Sequence, residues 1–173
     1  MNLKKLFKLQ KELDERIYKE HPVQEGEDRL AEKILALKVE LGELANELPE
    51  VFKFWSNKKN NYEKALEELV DCLHFILSIG LELGMDEIAD ELDLKKFDFL
   101  TSNTILSCFI GLSYDIADFY YQRENDDMVP YLYEHILLEF AKLGKMLGFT
   151  WDEIEQGYLS KNKINHDRQE SGY

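Results

Sequence analysis

Residues 62–83, YEKALEELVDCLHFILSIGLEL, decide the fold. Asp71 is flanked there by Leu69, Val70, Cys72, Leu73, Phe75, Ile76 and Leu77. A run apolar on every side reads as a buried helix. Glu68 and Asp71 lie three apart, so they share one face of it. No Lys or Arg stands within one turn of Asp71. An uncompensated buried carboxylate is costly or takes up a proton, and a like charge beside it adds repulsion.

A second acidic pair stands upstream. In residues 38–47, KVELGELANE, Glu40 and Glu43 are also three apart, and neither has a cation one turn away. They border a leucine stripe of Leu30, Ile34, Leu37, Leu41, Leu44 and Leu48. Spacing alone is weak, because 35 acids in 173 residues give roughly seven such pairs by chance. The apolar neighbourhood of the two pairs sets them apart. Four carboxylates converging between two helices need a cation. Hard oxygen ligands suit Mg²⁺, with Mn²⁺ as a substitute, rather than Zn²⁺.

Almost all of the remaining chain has helical period, and no segment reads as a strand. The spacing predicts helices over 3–21, 28–54 with a break near Pro49, 62–83, a short one over 86–92, one capped from Thr101, Ser102 or Asn103 and ending near Tyr121, one over 129–147, and a last one opened by a Thr150/Glu153 capping box. Asn61 is the expected N-cap of the third, and Gly84 and Gly148 are expected just past two helix ends. The stretch SKNKINHDRQESGY is polar and is expected to be irregular. LELGMDEIADEL and KMLGFTWDEIEQGYL echo each other. Aligning Gly84 with Gly148 sets Asp71 opposite His135, so the second half repeats the layout without the paired acids.

The fold expected is all-α, a helical bundle forming one domain over 1–173, with 158–173 a polar tail that closes over substrate. The formal net charge of -14 argues against a duplex DNA or RNA binder, which needs a basic footprint. A nucleotide substrate stays compatible with it, since a phosphate site needs only local cations and metal. Cys72 and Cys108 lie in apolar stretches without metal spacing and read as reduced core thiols. The N-terminus lacks a signal-peptide core, and no run is apolar enough to span a bilayer, so the expectation is a cytoplasmic protein with no membrane partner.

ExxE, some two dozen residues, then ExxD on paired helices resembles the all-α nucleoside triphosphate pyrophosphatases that include the MazG-like proteins. The dimeric dUTPase branch is the nearer match. It is carried by LFKLQKELDERI with Gln10, VFKFWSNKK with Lys53 and Trp55, the His74–Phe75 pair and the tail KNKINHDRQESGY. These motifs span nearly the whole chain, except 101–147.

The resemblance implies Mg²⁺-dependent hydrolysis of dUTP to dUMP and pyrophosphate. Such an enzyme limits uracil entry into DNA and supplies dUMP; cleavage of dUDP is left open. Glu40, Glu43, Glu68 and Asp71 would hold two or three ions, and Glu40 or Glu43 would activate water. Gln10, on the surface of the first helix, would meet the uracil edge. Phe75 would pack on the deoxyribose. His74 would hydrogen-bond an acid or the substrate, or be a core histidine satisfied by a neighbour. Lys53 and Trp55 would line the pocket, and Lys161, Asn165, Arg168 and Tyr173 would close over the phosphates. A homodimer is implied, and the aromatics of 109–133 suit an interface or a core.

Competing readings are a MazG-like or dCTP-type pyrophosphatase, a ferritin-like di-metal oxygenase, for which a second acid-x-x-His pair is missing, and a non-enzymatic helical interaction module.

Overall fold

Amphipathic helices must each cover an apolar stripe, and a segment apolar on every side is covered by several of them. A computed structural model describes residues 2–92, 94 and 103–172. Among these residues it has seven helices and no strand: α1 Leu3–Glu20, α2 Arg29–Glu47, α3 Pro49–Phe52, α4 Tyr62–Glu82, α5 Ile105–Gln122, α6 Val129–Met146 and α7 Trp151–Glu170. The apolar run 62–83 is α4. It packs along α2 and also against α1, α7 and α6, while α5 and α6 form a hairpin whose α5 leans on α2. Phe7, Leu37, Leu69, Leu73, Phe140 and Tyr158 are fully buried in the common core.

Local chemistry fixes the helix ends. The side chains of Asn2, Asp28, Asn61 and Thr104 accept from the backbone N–H three residues on. Thr150 and Glu153 form the expected capping box. Gly84 and Gly148 take φ values of 70° and 89°. In both cases the next residue's N–H reaches a carbonyl back in the helix, Met85 to Gly80 at 2.9 Å and Phe149 to Gly144 at 3.1 Å. This is the Schellman closure, and it requires a residue tolerant of positive φ. The echo between the two halves is thus repeated at the helix ends.

The break expected near Pro49 falls at Leu48, whose φ/ψ of −117°/54° is forced out of the helical region by the proline; Pro49 then opens α3. Two expectations are corrected. Residues 86–91 run as turns with three-residue hydrogen bonds instead of a helix. The tail, expected to be irregular, is helical to Glu170 because Tyr158 and Asn162 are buried and Arg16 grips Glu170 at 3.2 Å. Tertiary contacts overrode a weak amphipathic pattern. The N-cap of α5 is Thr104; Thr101 and Ser102 lie outside the described residues.

Candidate active site

Residues three, four and seven apart on α4 put Glu68, Asp71, His74, Phe75 and Ser78 on neighbouring positions of one side of the helix. That side faces α1, α2 and α7 across a cleft of ≈ 400 Å³. At 1.5 Å per residue, Ser78 sits about 10 Å along the axis from Asp71. The cleft therefore has an acidic end and, one nucleoside length away, a polar end.

At the acidic end, Glu40 of α2 and Glu68 and Asp71 of α4 have carboxylate oxygens all within 4.8 Å of one another. All three are half-buried. Burial, then Asp71, Glu43 and Glu68, push the Glu40 carboxyl up to about 7, with Lys161 opposing. Burial and then Asp71 raise Glu68. Burial also raises Asp71, against the hydrogen bond from Lys161. Three crowded oxygens with raised proton affinity are a donor set that fits a hard divalent cation. Glu43, expected as the fourth member, is exposed and stands outside this group, although its charge still reaches Glu40 and Glu68.

The sequence offered Asp71 no local counter-charge, but the fold supplies one. Lys161 Nζ donates to Asp71 Oδ2 at 2.5 Å from α7. Asn165 and Arg168 continue along the same wall of the cleft, with Arg168 Nη1 donating to Asn165 Oδ1 at 3.4 Å. Tyr173 lies outside the described residues.

At the polar end, Gln10 is 3% exposed, which corrects its expected place on the helix surface. Its Nε2 donates to Asp14 Oδ1 at 2.7 Å. Its Oε1 accepts from His74 Nδ1 at 2.8 Å and from the Tyr158 hydroxyl at 2.9 Å. Ser78 Oγ donates to Asp14 Oδ2 at 2.5 Å, and Lys33 Nζ stands 3.7 Å from the same oxygen. Lys33 also donates to Glu82 at 2.6 Å and to Tyr18 at 2.7 Å. His74 stacks on the Tyr158 ring at 4.2 Å. Burial, then the Lys161 charge, depress His74 to about 3, so the imidazole is neutral. Phe75 is partly exposed and lines the cleft.

Lys53 and Trp55 are not brought to this cleft. Lys53 Nζ donates to Asn46 Oδ1 at 3.0 Å, and Trp55 is 67% exposed, edge-on to Phe54 at 4.9 Å. The loop after α3 carries them outward. Sequence reasoning missed Asp14, Lys33, Ser78 and Tyr158. Two of these had a signal: Asp14 is one turn beyond Gln10, and Ser78 is two turns beyond Asp71. Lys33 and Tyr158 meet the site only through tertiary packing.

No helix of the described residues is long and apolar enough to cross a membrane. No curated protein matches the chain. A family comparison agrees with the helical architecture: the model described as dUTPase matches residues 2–173, and the chain belongs to the dUTPase family.

Proposed function

We propose that the chain cleaves dUTP to dUMP and pyrophosphate on the carboxylate trio Glu40, Glu68 and Asp71, with Mg²⁺ as the divalent ion. dUTP hydrolysis itself follows from membership of the dUTPase family. The observation that carries the site is the set of three carboxylate oxygens within 4.8 Å, two of them on α4, the helix that packs against α1, α2, α6 and α7. A bound divalent ion supplies charge neutralisation and polarises phosphate oxygens.

The protein's own groups divide the remaining work. Glu43 stands beside the trio but outside it, which supports it as the carboxylate that orients the attacking water. Glu40 is the other candidate for that role, and as a member of the trio it would be engaged in holding the ion. Lys161 holds Asp71 before substrate arrives and is one side chain away from phosphate oxygens entering at that end. Asn165 and Arg168 present a donor set for the leaving pyrophosphate. Phe75 offers a flat apolar contact for the deoxyribose, and Gln10, His74 and Ser78 shape the base end. The helical segment 158–170 forms a wall of the site.

The outer face of α2 and α5 supports a homodimer. Leu35, Val39, Leu106, Ile110, Tyr114 and Tyr121 are exposed there, whereas Phe109, Phe119 and Tyr133 are core. Exposed apolar side chains grouped on one water-facing surface fit an association site. In a dimer through this face, Lys53 and Trp55 would flank the interface.

Pyrophosphate release from dUTP, measured with Mg²⁺ and with EDTA, tests the reading. Turnover should require Mg²⁺, and Glu68→Gln should lower it at least about 100-fold while the helical circular dichroism is kept. Equal turnover in EDTA would remove the metal site.

A further inference from the structure

Lys161 stands between two cavities. On one side of α7 it borders the cleft. On the other it borders a groove of ≈ 470 Å³ between α4 and α7, lined also by Glu63, Glu67, Ser160 and Arg168. Its side chain is 24% exposed, so most of the stem is packed while the residue keeps an opening on each side.

Of the three carboxylates that fit a hard cation, Asp71 is the one already held by a cation: Lys161 Nζ donates to its Oδ2 at 2.5 Å. The oxygens of the trio lie within 4.8 Å of one another, so an ion shared by all three must approach that same carboxylate. Mg²⁺ takes its oxygens at about 2.0–2.1 Å and demands a near-octahedral shell, part of it water. An ammonium donating to the same carboxyl group crowds that shell and repels the ion in a half-buried setting, where charge is weakly screened. The two cations therefore compete for Asp71.

A lysine suits such an exchange. Its charge sits at the end of a flexible four-carbon stem, and it lacks the two-pronged grip that an arginine would place on a carboxylate. The backbone of α7 need not move with it, because Tyr158 and Asn162 on either side are buried and fix the helix. Asn165 and Arg168, one and two turns further on, line the same wall of the cleft. An ammonium that leaves Asp71 thus stays within reach of any phosphate they hold.

We infer that Lys161 is a two-station cation: it holds Asp71 in the ion-free site, and a divalent ion displaces it toward the phosphates of an incoming nucleotide. The ion binds first and readies the phosphate end. This rests on the proposed metal and nucleotide site and deepens it.

Lysine side-chain ¹⁵N spectra of the whole protein follow the ammonium directly, with the Lys161 signal assigned by its absence from Lys161→Met. In EDTA the signal should be that of an ion-paired ammonium, and Asp71→Asn should move it without any ion. Mg²⁺ alone, without nucleotide, should also move it, and the non-hydrolysable α,β-imido analogue of dUTP should then move it again. Calorimetry gives the second readout. Lys161→Met should bind Mg²⁺ about 5- to 10-fold more tightly without nucleotide. In saturating Mg²⁺ it should bind the analogue at least about 10-fold more weakly. Lys161→Arg, which keeps a cation, should return the Mg²⁺ affinity to the wild-type value or below it. A lysine with a purely structural role would weaken both ligands together when removed. A Lys161 signal that stays on Asp71 through saturation with Mg²⁺, an unchanged or weaker Mg²⁺ affinity in Lys161→Met, or Mg²⁺ that binds only together with nucleotide overturns the inference. Displacement of Lys161 by Mg²⁺ in a protein that releases no pyrophosphate from dUTP would sink the proposed reaction and leave the exchange standing.

Discussion

Lys161 Nζ donates to Asp71 Oδ2 at 2.5 Å, joining α7 to α4 across ninety residues of chain. It is a resident counter-charge inside an acidic site, and it changes what removing either partner should do. The sequence suggested that neutralising Asp71 relieves repulsion. With Lys161 in contact, Asp71→Asn removes attraction as well, and the two effects oppose each other.

Lys161→Met should therefore destabilise the metal-free protein by about 1–2 kcal/mol, because it leaves three raised carboxylates with less compensation. Saturating Mg²⁺ should reduce the loss, since the ion takes over the neutralising role. Thermal melts in EDTA and in Mg²⁺ check this. An equal loss in both would mean that the lysine and the ion do not share a site.

Glu40 gives the pH dependence. Its carboxyl is raised from 4.5 to about 7, first by burial and then by Asp71. The folded state thus holds a proton that the unfolded chain releases, so ionising Glu40 costs stability. The penalty is absent below about pH 4.5 and complete above about pH 7. Glu40→Gln should leave the melting temperature unchanged at pH 5 in EDTA. At pH 8 it should raise stability by about 1 kcal/mol, a figure discounted because the side chain is only half-buried. A gain at pH 5 as large as at pH 8 would show that charge is not the cause.

The helices, their caps and the acidic pairs were legible because each rests on local spacing: Asn61 on an N-cap, Gly84 and Gly148 on positive φ, Glu68 and Asp71 on a three-residue step. The course of 158–170 was not, since its helix depends on burying Tyr158 and Asn162 against distant elements. The same reason hid Lys161 as the partner of Asp71, and Lys33 as the cation behind Asp14. Gln10 read as surface because a glutamine rarely sits 3% exposed without a network to satisfy it, and that network comes from three helices.

The outer stripe of α5 predicts the assembly. Ile110 is 65% and Tyr114 66% exposed, one turn apart. Ile110→Asp should convert a dimer into a monomer in sedimentation velocity, with the fold retained because neither side chain supports the core. A wild-type chain that sediments as a monomer at tens of micromolar would refute the dimer.

The approach of α7 to α4 depends on the absence of one side chain. A Cβ at Gly157 would lie 2.8 Å from Val70 Cγ2, inside the contact distance that real methyl groups keep. Val70 is a core residue at 2% exposure and has little room to give. Gly157→Ala should therefore push α7 outward and cost about 1–3 kcal/mol, even though alanine favours the helix. The displacement acts directly on the site, because Lys161 lies one turn beyond Gly157 and Asp71 adjoins Val70. A small misplacement of the Lys161 side of the cleft should lower kcat/KM for dUTP about 10-fold or more. Val70→Ala vacates the space that the new methyl needs, so Gly157→Ala combined with Val70→Ala should recover part of both losses. The coupling in that cycle measures the contact itself. Additive losses in the double variant would show that the helices are held apart by something other than this pair.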